Sequence, residues 1–520
     1  MSELVNLTID GTPVSVPKGT TLIEAAKQAG VLVPHYCYHP SLPSPAVCRM
    51  CLVEVEKNPK LQPSCVTTVA EGQVVHVHSE NAKKAREGVL EFLLINHPLD
   101  CPICDQSGEC ELQDYQFQEG RVATRYQDEA KRYNPVEDFG PDILYVTNRC
   151  ILCTRCVRFM DDVAHEPVLN VSERGDRAFI GIDPAHKLTH EWSGNVVDLC
   201  PVGSLISKDF LHKARAWDLD RTASVCTGCS QGCNISIETR DDAVVRLKPR
   251  PNLEVNRHFM CDTGRADYRW MNRGDRIEAP LVRGDGRLLA TDWLKGLDAL
   301  AALVKGASSV TVLASGKASV ESLALVKKLA GDRATLTVQV PMSKDAEKPL
   351  AGVPNLALRA ERAPNAKGAE WLGYSKDWAA GMAAAKSAGL VLVVGAELSD
   401  AEWAAVKGAK ALAVLAAVDA VPDDLANVVL PITTVAEELG VFVNRDGRIQ
   451  RYWPAKAAPG MARPAWWVAG EAAAIARGGN APQTAEEAYA VAAGLAPQFG
   501  AVAYAELGFV GRGATPAGVA

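Results

Sequence analysis

Fifteen cysteines, none of them beyond residue 261 of a 520-residue chain, constrain this fold more than any other feature. They fall by position into four sets. The first is Cys37-x10-Cys48-x2-Cys51-x13-Cys65, and the second, Cys101-x2-Cys104-x5-Cys110, has only three members. The third is Cys150-x2-Cys153-x2-Cys156 with Cys200 far downstream, and the fourth is Cys226-x2-Cys229-x3-Cys233-x27-Cys261. The opening MSELVNLTID has acidic residues and no long apolar stretch, so it reads as neither an export signal nor an Arg-rich transit peptide. A reducing compartment is therefore expected, in which dense thiols bind metal rather than form a disulfide framework.

A three-thiol set cannot fill a four-coordinate site. His97, four residues before Cys101, supplies the missing ligand, because the preceding helical pattern from Asn81 ends at His97-Pro98 and leaves the imidazole beside the loop. Fifteen thiols and one imidazole make sixteen ligands, four per site. Structural zinc is one reading, since it takes four cysteines, or three and a histidine, and favours C-x2-C knuckles. Three thiols on a C-x2-C-x2-C loop with a remote Cys-Pro, however, match the wrapping of a cubane iron–sulfur cluster. The first set has the layout of plant-type ferredoxins, though its first gap is ten residues rather than four, and is read as a [2Fe–2S] site. His35 and His39 flank Cys37, but a Rieske site would need a second histidine near Cys51, which is absent. His76 and His78 alternate on a strand and read as surface residues. Arg49, Arg149, Arg155 and Arg158 lie near cluster thiols in sequence, either solvated or tuning potential.

Residues 1–80 read as a β-rich unit opened by a hairpin, VNLTI and PVSV joined by Asp-Gly-Thr, with Thr20 or Thr21 capping a helix that stops at Gly30. The helix from Asn81 places Ala85, Val89, Phe92, Leu93 and Asn96 on one side. Residues 121–149 look charged and strand-like, broken at Asn134-Pro135 and Gly140-Pro141. A strand pair, NISIET and AVVRL, is joined by Arg240-Asp241-Asp242. Beyond about 275, Ala-rich helices alternate with short apolar strands such as VTVLA (310–314) and LVLVV (390–394), the pattern of a parallel α/β sheet. Segment 361–368 reads as a surface loop. The expected domains are 1–80, 81–120, 121–218, 219–275 and 276–520. A net charge of −7 argues against nucleic acid as a partner, and no run approaches bilayer-spanning length, so any membrane role runs through partner subunits.

CRMCLVEV, HPLDCPICDQSGECELQD, RCILCTRCVRF and DLCPVGSL together resemble the large iron–sulfur subunit family of respiratory complex I, the bacterial NADH:quinone oxidoreductase, over about residues 1–270. VCTGCSQGCNI and the stretch from Ala426 to Gln450 are similar to the molybdopterin oxidoreductase fold. The resemblance implies an N-terminal β-grasp ferredoxin-like domain, cubane domains, and a shortened C-terminal molybdopterin-oxidoreductase-like α/β domain. It implies one [2Fe–2S] cluster on Cys37, Cys48, Cys51 and Cys65. It also implies three [4Fe–4S] clusters: on His97, Cys101, Cys104 and Cys110; on Cys150, Cys153, Cys156 and Cys200; and, off the electron route, on Cys226, Cys229, Cys233 and Cys261. Electrons would come from NADH through a flavin subunit and leave towards quinone through other iron–sulfur subunits, at the cytoplasmic face of the bacterial inner membrane. No molybdopterin is expected, because no cysteine follows Cys261 to bind molybdenum. No phosphate loop and no G-x-G-x-x-G after a strand appears, so neither ATP nor NADH is placed on this chain. The rival readings are the molybdenum-containing chain of an NAD-linked formate dehydrogenase, a hydrogenase diaphorase subunit, and a zinc scaffold.

Overall fold

The computed structural model describes residues 3–130, 132, 136–183, 185–422 and 424–514. The chain divides into two compact units. One runs to Leu219 and includes Leu350–Pro354; the other comprises Asp220–Pro349 and the chain from Asn355 onward.

The first unit opens on a five-stranded sheet ordered Thr12–Pro17, Leu4–Ile9, Gln73–His76, Leu52–Val55, Gln62–Pro63. Asp10 (φ 44°) and Gly11 (φ 81°) make the hairpin turn, where both central residues must adopt positive φ to match the strand twist. Leu4–Ile9 pairs in parallel with Gln73–His76, and the helix Leu22–Gln28 buries Leu22, Ile23, Ala25 and Ala26 against this sheet. Thr21 holds the N-cap position, but its side chain makes no capping bond. Backbone replaces it: the amides of Leu22 and Ile23 donate to the carbonyls of Thr67 and Ser64. The helix start thereby anchors the loop that carries Cys65.

The next helix, Glu80–Leu94, is capped by Ser79, whose hydroxyl accepts from the Ala82 amide, earlier in the chain than the expected start at Asn81. Its fully buried residues are Ala82, Arg86 and Leu90; Val89 and Leu93 of the expected apolar side pack against the core from its margin, whereas Phe92 is 79% exposed. Arg86 is a charged residue on the buried side that the apolar pattern did not reveal. Its guanidinium is fully buried and donates to Glu119 at 2.8 Å and to the Val77 carbonyl at 3.0 Å. Residues 121–130 and 132 form no regular element, and the break expected at Asn134-Pro135 lies outside the described residues. Strand structure resumes with Glu137–Asp138, Ile143–Tyr145 and Leu205–Ser207, a small antiparallel sheet interrupted at Gly140-Pro141.

In the second unit, Asp220–Val225, Asn234–Arg240 and Ala243–Pro249 form an antiparallel sheet, turned at Asp241 (φ 51°) and Asp242 (φ 60°). A seven-stranded sheet follows, ordered Arg287–Ala290, Leu281–Gly284, Val428–Pro431, Leu412–Ala416, Leu390–Val394, Val310–Ser315, Thr335–Gln339. The last five strands run parallel; the first two add an antiparallel hairpin that the strand pattern did not reveal. Leu390, Leu392 and Val394 face one core with the helices Val320–Ala330 and Ala465–Arg477. Val391 and Val393 face the other with Trp378–Ala385 and Asp400–Val406. Burial on both faces explains the unbroken apolar runs.

Segment 361–368 is not a surface loop. Ala363, Asn365 and Ala366 are fully buried, and the Asn365 side chain accepts from the Val443 amide (2.9 Å) and donates to the Ala318 carbonyl (2.8 Å). Its polar residues satisfy internal backbone groups, which a composition reading cannot distinguish from solvation. No described helix is long and apolar enough to cross a membrane.

Glu438, buried in this unit, accepts from the Thr433 hydroxyl at 2.6 Å and the Tyr452 hydroxyl at 2.9 Å. Burial pushes its carboxyl from 4.5 up to about 7, against the pull of those two donors. Stability linked to the protonated form is thus full below pH 4.5 and is lost as pH rises through 7. Glu438→Gln should flatten the stability–pH profile over that window by roughly 3 kcal/mol in denaturant unfolding. An identical slope in variant and parent would contradict the assignment.

Candidate iron–sulfur sites

The first set is a chain of sulfur contacts. The Cys37 amide donates to Cys48 Sγ at 3.4 Å; the Cys65 thiol lies in hydrogen-bond contact with both Cys37 and Cys51. Cys37, Cys51 and Cys65 are buried to 2% exposure or less. Ala46 (φ 53°) and Arg49 (φ 57°) adopt left-handed backbone around Cys48, which lets the loop curl its sulfurs inward. The thiol contact with Cys37 and burial push Cys48 up, whereas the contact with Cys65 pulls Cys51 down. His35 and His39 do not join the thiols: His35 Nδ1 is bonded to the Val33 carbonyl and His39 Nδ1 accepts from the Ser41 amide. His76 and His78 sit at the surface beside Glu56 and Asp10.

In the second set, Cys101 opens a short turn, Cys101–Ile103, and is exposed; Cys104 is buried, and Cys110 precedes the helix Glu111–Glu119. Burial raises both Cys104 and Cys110, the latter to about 11, and the Cys101 and Cys104 thiols add to the rise at Cys110. His97 lies half-buried near Arg149 and Asp100. Burial first, then the Arg149 charge, lowers its pKa to about 4, so the imidazole is neutral at pH 7, the form that binds a metal. Arg149 also acts on Cys104.

The third set lines one cavity, with Cys150, Cys153, Cys156 and Cys200 facing it beside Tyr145 and Ser204. Left-handed bends at Leu152 (φ 52°) and Thr154 (φ 59°) fold the C-x2-C-x2-C loop back on itself. Burial pushes Cys150 and Cys200 up to about 11 and Cys153 to about 12. The Leu152 amide donates to Cys150 Sγ at 3.4 Å, and the Tyr145 hydroxyl contacts the same sulfur while accepting from the Ile180 amide.

The fourth set, in the second unit, is buried throughout, each cysteine 5–6% exposed. Cys226, Cys229 and Cys261 each raise Cys233, after burial, so the other three thiols surround Cys233. The Gly264 amide donates to Cys261 Sγ at 3.3 Å, and a Cβ on Gly264 would stand 3.1 and 3.2 Å from the Cys226 and Cys261 sulfurs. The buried segment after Arg359 covers this set: Arg359 donates to Gln231, Glu361 O accepts from the Ser230 amide, and Arg359 and Arg362 pull Cys229 down against burial.

Among the described residues no group of three or more His, Cys, Asp or Glu side chains is arranged to hold a single metal ion. The donor sets nevertheless suit a cluster, whose ligands are spread around several irons. The Tyr36 hydroxyl is buried without a hydrogen-bond partner near Cys48 and Cys110, and the buried Ser44 hydroxyl lies against the Cys65 thiol. Such donors are suited to inorganic sulfide. Gly203 is equally telling: a Cβ there would lie 2.1 Å from Cys104 Sγ. Gly203→Ala should therefore eject Cys104 from its place and remove the metal of the second set alone, about four irons per chain. Unchanged iron content in that variant would contradict the placement.

Tyr145, Gly203, Gly264, Arg359 and Arg362 were not singled out from sequence; only the glycines carried a signal, each three residues after a cysteine of a set (Cys200-Pro-Val-Gly and Cys261-Asp-Thr-Gly).

Residues 2–80 match the 2Fe-2S iron-sulfur cluster binding domain, 86–124 the NADH-ubiquinone oxidoreductase-G iron-sulfur binding region, and 140–206 the ferredoxin-like domain of NADH-quinone oxidoreductase subunit 3. Residues 219–273 match the molybdopterin oxidoreductase Fe4S4 domain and 375–474 the molybdopterin oxidoreductase family. The chain is 43% identical over 326 residues to the NADH-quinone oxidoreductase G chain of Rickettsia bellii, covering 62% of this chain and 48% of that protein. It is 43% identical over 352 residues to the mitochondrial NADH-ubiquinone oxidoreductase 78 kDa subunit of Neurospora crassa, covering 67% and 47%. The chain thus spans about half the length of the curated relatives it matches. A crystal structure of NAD+-reducing [NiFe]-hydrogenase matches at 28% identity over 40% of this chain and 90% of that one, but a TM-score of 0.36 carries no argument. Domains for binding 2Fe-2S and 4Fe-4S clusters are present, and over its matched residues the chain is a homologue of the large iron–sulfur subunit of NADH-quinone oxidoreductase.

Proposed function

We propose that this chain is the iron–sulfur relay of an NADH:quinone oxidoreductase, passing single electrons from a flavin-bearing, NADH-oxidising subunit towards quinone-side iron–sulfur subunits. The observation that carries this reading is the shared core of the first unit, where Cys37 and Cys48, Cys110, and Cys153 and Cys200 meet around Tyr36, Met50, Leu112 and Val202. Ligands of three sets belong to one packed cluster of side chains. That proximity is what a relay needs and what independent structural zinc sites do not.

The assignments are one [2Fe–2S] cluster on Cys37, Cys48, Cys51 and Cys65, and [4Fe–4S] clusters on His97 with Cys101, Cys104 and Cys110, on Cys150, Cys153, Cys156 and Cys200, and on Cys226, Cys229, Cys233 and Cys261. When bound, these groups supply reversible one-electron chemistry. The chain's own residues do the rest. Apolar burial around Tyr36, Met50 and Leu112 excludes water, and N–H donors such as those of Cys37, Leu152 and Gly264 offset negative charge on sulfur. Neutral His97, in place of a fourth thiolate, makes its site one charge less negative than an all-cysteine site. The fourth set, in the other compact unit, is read as off the electron route. The α/β domain serves as scaffold without molybdopterin. The complex would sit at the cytoplasmic face of the bacterial inner membrane, with this chain a peripheral subunit.

Iron, sulfide and zinc analysis of the purified chain, with low-temperature EPR after dithionite reduction, tests the reading. About fourteen irons with matching sulfide are expected, from one [2Fe–2S] and three [4Fe–4S] clusters. About four zincs with little iron would replace the relay with a zinc scaffold.

A further inference from the structure

Arg155, between Cys153 and Cys156, has a side chain that is only 5% exposed. Its Nη1 donates to Glu111 Oε1 at 3.0 Å and to the Leu199 carbonyl at 3.3 Å; its Nη2 donates to the Tyr38 carbonyl at 2.9 Å and to Glu111 Oε2 at 3.2 Å. Every acceptor adjoins a ligand in sequence. Tyr38 follows Cys37, Glu111 follows Cys110, and Leu199 precedes Cys200. Nε is buried with no protein acceptor.

Two neighbouring arginines span the sets more narrowly. Arg158 reaches the Cys37 carbonyl at 2.5 Å and the Cys153 carbonyl at 3.2 Å, linking the first set to the third. Arg149 pairs with Asp100 at 2.9 Å and reaches the Gly203 carbonyl at 3.4 Å, linking the second to the third. Arg155 alone of these three touches the segments of all three sets. Neutral donors could tie the same carbonyls, whereas a buried cation is expensive unless it is compensated by nearby negative charge. Glu111 provides one such charge, and thiolates at Cys153 and Cys200 provide more.

We propose that Arg155 is a positioning residue common to the first three sets, and that its charge raises the reduction potential of the group held by the third. This rests on the relay reading above. The planar fork fixes the three ligand loops against one another in a way that an ammonium cannot. The cation stabilises the extra negative charge taken up when the third-set group gains an electron, because that charge arises in a low-dielectric interior.

EPR redox titration of the whole chain, as parent, Arg155→Met, Arg155→Lys and Glu111→Gln, tests the proposal. Arg155→Met is expected to lower the potential of the third-set signal most, and to leave the fourth-set signal, in the other compact unit, where it was. Arg155→Lys should restore most of that potential yet broaden the distance distribution between first- and second-set spins in pulsed EPR. Glu111→Gln, which removes the counter-charge and keeps the side-chain length, should raise the third-set potential. An unshifted third-set potential in Arg155→Met overturns the proposal. If that variant loses its third-set iron, an unshifted potential in Glu111→Gln overturns it instead. A parent chain with no third-set signal at all would defeat the relay reading itself rather than the role of Arg155.

Discussion

Burial of sulfur is the constraint on which the rest of the structure depends. Ten of the fifteen cysteines are buried, and burial pushes Cys153, Cys156, Cys226 and Cys233 well above the ordinary thiol range. Left alone they would stay protonated and inert at neutral pH. As ligands they must be thiolates, and only a cationic partner makes buried thiolates tolerable. On the proposed assignment, iron binding and folding would be coupled, because a bound metal stabilises only the folded arrangement of its ligands. The left-handed residues Ala46, Arg49, Leu152 and Thr154 show the backbone strain that this convergence demands.

The same constraint accounts for the arginines. Interior positive charge is normally unfavourable, yet Arg149 and Arg155 are both buried within the first unit. Each is compensated by a carboxylate beside a ligand, Asp100 for the one and Glu111 for the other. Guanidinium groups suit this position because one planar fork can satisfy carboxylate and carbonyl together. Arg49, by contrast, is exposed and carries no such role. Four arginines that look alike in sequence are therefore separated by packing.

Much of this was legible in the sequence because it rests on local rules. The Asp10-Gly11 hairpin, the strand pair turned at Asp241-Asp242, and the doubly buried run Leu390–Val394 follow from turn chemistry and side-chain period. Of the cysteine sets read from spacing, the third has its four thiols lining one cavity. What was not legible depended on contacts distant in the chain. Arg86 is buried in the Glu80–Leu94 helix because it pairs with Glu119, thirty-three residues away. Segment 361–368 is interior because Asn365 bonds Val443 and Ala318. Gly203 matters because Cys104 lies against it, a pairing no spacing rule contains.

Anomalous diffraction from crystals of the purified chain, collected on either side of the iron absorption edge, addresses the central claim most directly. Four separate iron peaks are predicted, one inside each ligand set, with the second bounded by the His97 ring as well as by Cys101, Cys104 and Cys110. A set without iron density, a peak that follows the zinc edge instead, or a His97 ring turned away from its peak would contradict that claim.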